Sequence, residues 1–88
     1  MKTYETLIAD IRAEEHELNA KITKLETFMM TEDYAILSLW QRSLLVRQRT
    51  SMQEYKSILI DRAIRIIREH FRSTGELQDE EDPKERAE

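Results

Sequence analysis

The side chains able to do chemistry are few, and their spacing limits what they can do. His16 and His70 are the whole imidazole complement, and cysteine is absent, which removes disulfides, thiolate metal sites and thiol nucleophiles together. The run Glu14-Glu15-His16-Glu17 has metal-type ligands, yet position 20 is Ala20, where a helical zinc motif needs its second histidine. It reads as a solvated face. The serines Ser38, Ser43, Ser51, Ser57 and Ser73 fall at a cap, along a helix or at a helix end, without the partners of a nucleophile triad. Gly75 is the lone glycine, so there is no glycine-rich loop to cradle a phosphate. No catalytic residue, metal site or cofactor is expected.

What remains is arginine. Arg62, Arg65, Arg68 and Arg72 are spaced three, three and four apart, a basic ridge along one helix. With Arg47 and Arg49 upstream, and multiplied by an oligomer, they could hold phosphates or other nucleotide-type anions. The plainer alternative is a solvated side neutralised by Asp61, Glu69 or an acidic tail. Nucleic acid is disfavoured as a partner, since glycine-flanked aromatics and a short recognition helix are both missing.

The elements that must position these residues are helical. One glycine and one proline in 88 residues exclude a turn-rich β fold. The net charge of −4 conceals blocks: residues 1–38 carry −4, residues 39–72 carry +5 and residues 73–88 carry −5. No apolar run is long enough to cross a bilayer, and Met1–Asp10 lacks the apolar stretch of a secretory leader, so a cytoplasmic protein is expected.

In the first segment Tyr4, Ile8, Ile11, Leu18, Ile22, Leu25 and Met29 recur at alternating fours and threes, with Glu15 at the one charged seam position. This predicts a helix over residues 3–30 with Thr3 as N-cap. Residues 31–38 form a connector, in which Ala35-Ile36-Leu37 is expected to make one turn, and Ser38 caps a second helix over 39–72. Its predicted seam is Leu45, Gln48, Met52, Tyr55, Leu59, Arg62 and Ile66. The two helices should fold back as an all-α, coiled-coil-like antiparallel hairpin spanning residues 1–75. Aligned ends put Ile8 near Arg62, Leu18 near Met52 and Glu15 opposite Tyr55, with Arg62 as the other partner of Glu15. Residues 76–88 are acidic and contain Pro83, a tail expected to be disordered or ordered by a partner.

The second helix is expected to overhang the first at its C-terminal end, where Ile60, Ile64, Ile67 and Phe71 form an extra stripe. A bare apolar face of that size is an association site, so a homo-oligomer built through these four residues is predicted. At the connector, Tyr34 and Trp40 are either a staple closing the core or a partner contact.

The string Leu44-Leu45-x-Arg47-Gln48-x-x-x-Met52-x-x-Tyr55-x-x-x-Leu59-x-x-Arg62, preceded by Leu37-Ser38, with Lys24-Leu25-Glu26 in the first helix, resembles a family of small tailed-phage and prophage proteins related to a crAss-like phage protein of unknown function. The resemblance covers residues 3–66 and carries no assigned site residues. It implies a phage accessory protein that binds and inhibits or redirects a host defence factor in the host cytoplasm. A separate group of small helical phage proteins forms oligomers that sequester cyclic nucleotide signals, and the likeness to it is one of architecture. A structural or assembly helper is the third class.

Overall fold

A computed structural model describes residues 3–74. Three helices follow one another: α1 (Tyr4–Phe28), α2 (Glu32–Ala35) and α3 (Leu39–Thr74), with no strand among the described residues. The tail at 76–88 lies outside them.

Each start has its cap. The Thr3 hydroxyl accepts from the Thr6 N–H at 3.1 Å, and Glu5 stands in the first turn, where the helix dipole favours an anion. Ser38 Oγ accepts from the Gln41 N–H at 3.1 Å and opens α3 as its sequence position suggests. Thr31 works in both directions. Its Oγ1 donates to the Phe28 carbonyl at 2.6 Å and accepts from the Tyr34 N–H at 3.3 Å, tying off α1 while starting α2. The connector turn is therefore Glu32–Ala35, three residues earlier than Ala35–Leu37, because Thr31 supplies the cap and Glu32 and Asp33 fill the first turn.

α1 and α3 pack antiparallel. On α1 the inward residues are those expected from the heptads: Ile11, Leu18 and Ile22 are buried, and Tyr4, Ile8, Glu15, Leu25 and Met29 half-buried. On α3 only half of the predicted seam faces inward. Leu45, Met52, Leu59 and Ile66 do, with Leu59 fully enclosed, but Gln48, Tyr55 and Arg62 are exposed. Their places are taken one residue on by Arg49, Lys56 and Ala63, flanked by Arg42 and His70. Long cationic side chains can lay their methylene stems over apolar neighbours, and in Arg42 and Arg49 the burial extends to Nε. The rotation also frees the Tyr55 hydroxyl to donate to Glu14, rather than to Glu15.

The register is about one turn away from aligned ends. Lys56 Nζ donates to Asn19 Oδ1 at 2.7 Å, and Tyr4 stacks on His70, so the start of α1 reaches the last turns of α3. At 1.5 Å per residue, α3 with 36 residues is about 54 Å long and α1 with 25 about 38 Å. The excess falls at the N-terminal end of α3, not at its C-terminal end. There Met30, Ile36, Leu39 and Trp40 are each more than 70% exposed. No helix among the described residues is long and apolar enough to cross a membrane.

Candidate functional site

Arg62 and Arg65 come together. With Ile58, Asp61 and Ile66 they line an open groove of about 400 Å³ on the flank of α3. Residues three apart on a helix are neighbours, with Cβ atoms about 5–6 Å apart, so the two guanidinium groups can address one anion. Ile58 and Ile66 supply its apolar lining. Arg65 Nε also lies 3.9 Å from Glu69 Oε2, a loose and largely solvated pair.

The other arginines of the ridge are not gathered here. Arg68, half-buried, and Arg72, exposed, follow one and two turns further along α3. Arg47 is about 22 Å upstream of Arg62 along the helix axis, and Arg49 turns towards α1. Arg49 Nε and Arg42 Nε are both shut off from solvent and lack a hydrogen-bond partner. The helix therefore divides the six predicted cations into a groove pair, a distal pair and an upstream pair.

Ile60, Ile64 and Ile67 lie on the opposite flank of α3 from the groove, and remain 36–48% exposed. Phe71 is half-buried because Tyr4 meets it edge-on, with ring centroids 6.5 Å apart. Tyr34 and Trp40 part company. Tyr34 packs edge-on against Phe28 at 6.1 Å and closes the core, whereas Trp40 is 75% exposed.

Two further clefts lie between the helices. Lys56, Arg12, Glu15, His16 and Asn19 line a polar one of about 280 Å³. Lys21, Lys24, Leu25, Phe28, Gln48 and Met52 line a mostly apolar one of about 310 Å³ nearer the connector. Sequence reasoning did not find the role of Lys56, although the seven-residue repeat Arg42, Arg49, Lys56 was its signal. His16 and His70 stand apart, the latter against Tyr4, and no cluster of three metal-type ligands occurs among the described residues.

No curated protein and no solved structure matches the chain significantly. A family model described as Sequestin matches residues 1–65. The match takes in α1, α2 and α3 as far as Arg65, so Arg62 and Arg65 fall inside it and Arg68 and Arg72 outside. It overlaps the stretch that resembles small phage proteins, without itself implying a phage origin. With 65 of 88 residues inside that model, the chain belongs to the Sequestin family.

Proposed function

We propose that this protein sequesters a nucleotide-type anion by binding it without turnover. One observation carries the reading: two arginines one turn apart, Arg62 and Arg65, rim a groove whose floor is Ile58 and Ile66. A guanidinium fork matches a phosphate's oxygens in geometry and charge, and an apolar floor suits the face of a base. Asp61 on the same rim can accept from an exocyclic amino group and repels surplus negative charge. The family's name, Sequestin, is compatible with a role in withdrawing a ligand from solution. A phage origin, a defence-signalling ligand and a host-cytoplasm setting are finer parts of the same proposal.

Thermal unfolding with a tenfold excess of cyclic dinucleotides and linear nucleotides tests it. A ligand that binds only the folded state raises the melting temperature by mass action. The expected shift disappears in Arg62→Ala/Arg65→Ala. No shift with any nucleotide, or a shift equal in the variant, overturns the groove as the site.

A second reading, docking of a host protein, is favoured by the bare apolar tip at Met30, Ile36 and Trp40. Replacing Ile36 and Trp40 by serine should abolish co-purification of a defined host partner while leaving nucleotide-dependent melting shifts unchanged.

A further inference from the structure

α3 carries more than one seam. Starting at Leu39 and ending at Phe71, alternating steps of four and three visit ten positions. They share a helix face turned away from the α1-facing seam. The helix has eleven Asp, Glu, Lys and Arg residues among its 36, and none occupies any of the ten. A charge-free stripe along a whole water-exposed helix has the pattern of a helix–helix contact. α1 touches it at Gln53, whose Nε2 donates to Glu26 Oε2 at 3.4 Å, and at Phe71 beside Tyr4, but leaves Ile60 and Ile67 more than a third exposed, Ile64 about half and Leu39 almost three quarters.

We infer that this face packs antiparallel against the same face of a second copy, forming a closed two-fold dimer through α3. The stripe is lopsided. Its last four positions, Ile60, Ile64, Ile67 and Phe71, are all large and apolar, whereas the first six are small or polar apart from Leu39 and Val46. Antiparallel pairing sets each large residue against a complementary one: Phe71 on Leu39, Ile67 on Ser43, Ile64 on Val46, Ile60 on Thr50. Parallel pairing would put Phe71 on Phe71 at one end and Ser43 on Ser43 at the other, crowding one and leaving a void at the other.

Charge favours the same direction. The neighbouring heptad row is Trp40, Arg47, Glu54, Asp61 and Arg68. In the antiparallel dimer Arg47 faces Asp61 of the second copy, and Trp40 meets Arg68, a cation–π geometry. Only Glu54 meets itself, at the dyad. In a parallel pair this row would lie across the contact from the opposite flanking row instead, and the Arg47–Asp61 and Trp40–Arg68 pairings would be lost. The connector end carries Glu32 and Asp33, with no base between Lys24 and Arg42, and it lands beside Arg68 and Arg72 of the other copy. An isologous contact satisfies both ends at once and stops at two. The dimer contact shares Asp61 with the proposed nucleotide groove but rests on the stripe, not on that assignment.

The chain has no cysteine, so introduced thiols report contacts cleanly. The full 88-residue chain is made as Val46→Cys and as Ile64→Cys, and the two are mixed under mild oxidation; Thr50→Cys with Ile60→Cys is the second pair. A disulfide requires Cα atoms within about 7 Å. The expected result is a covalent dimer of twice 10.6 kDa from each mixture and not from any variant alone. A covalent dimer from Ile64→Cys alone means parallel packing and overturns the inference. So does a wild-type chain that sediments at 10.6 kDa. Ser57→Glu, exposed and away from α1, should halve the sedimenting mass with helicity retained, and a Ser57→Glu chain still dimeric also overturns it.

Discussion

The ring of Tyr4 lies flat on the imidazole of His70, with centroids 3.7 Å apart and planes 6° from parallel. The first helical residue of α1 is thereby fixed to the last turns of α3, and His70 in turn meets Phe71 edge-on at 5.5 Å. This three-ring cluster closes the open end of the hairpin, opposite the connector. Truncating Tyr4→Ala should lower stability by about 1–2 kcal/mol, the value of a lost aromatic contact plus part of its burial. Tyr4→Phe keeps the stack and should stay within about 0.5 kcal/mol of wild type. Urea midpoints at constant slope measure both.

Leu59 is the only fully enclosed side chain among the described residues, and Ile11, Leu18 and Ile22 complete the buried cluster. Leu59→Ala should therefore be the most damaging single truncation. The expected loss is about 2–5 kcal/mol, transfer and cavity terms together. Ile60→Ala, next to it but more than a third exposed, should lose far less at concentrations where the chain is monomeric. Equal losses would mean that the described core is not the one that holds the hairpin.

Ser38 is placed by its bond to the Gln41 N–H. Ser38→Ala removes that acceptor from the start of a 36-residue helix and should destabilise by about 1 kcal/mol. Ser38→Asp should be close to neutral. Amide exchange of the first turn of α3 should quicken in the alanine variant, with little change near Leu59.

Arg49 Nε is enclosed without a hydrogen-bond partner. A desolvated donor left unpaired opposes folding, and an apolar chain of similar length does not incur that penalty. Arg49→Met should raise stability by about 1 kcal/mol, seen as a higher urea midpoint at unchanged slope. A lower midpoint would show that the guanidinium holds a contact worth more than its desolvation.

α1 was legible almost residue by residue, because a single apolar phase runs through it from Tyr4 to Met29. α3 was not, and the reason is physical. Leu45, Met52, Leu59 and Ile66 belong to any reading of its inner face, but the alternate positions are held by Arg42, Arg49, Lys56 and His70, with Ala63 between. Hydropathy counts these against burial, although their stems pack well. The pattern then drifted one residue, onto Gln48, Tyr55 and Arg62. The supposed overhang failed for a related reason: aligning helix ends at the connector ignores the turn that Thr31 starts, and Tyr4 reaches His70 instead. The basic ridge was visible as spacing. That Arg62 and Arg65 share a groove with Ile58, while Arg49 faces α1, depends on which side of the helix α1 occupies.

The alternation of cation and aliphatic along the inner face of α3 has a mechanical consequence. Its large aliphatic rungs, Leu45, Met52, Leu59 and Ile66, recur once per heptad, about 10.5 Å apart, with the half-buried Arg42, Arg49, Lys56, Ala63 and His70 in the intervals. Releasing one rung uncovers little apolar surface, so the two rods can part locally, rung by rung, without the whole contact failing at once. Bending between pins is cheap while sliding past them is not, because a slip of register would push Lys56 into the space that Leu59 fills. The hairpin is compliant along its length and strict about alignment.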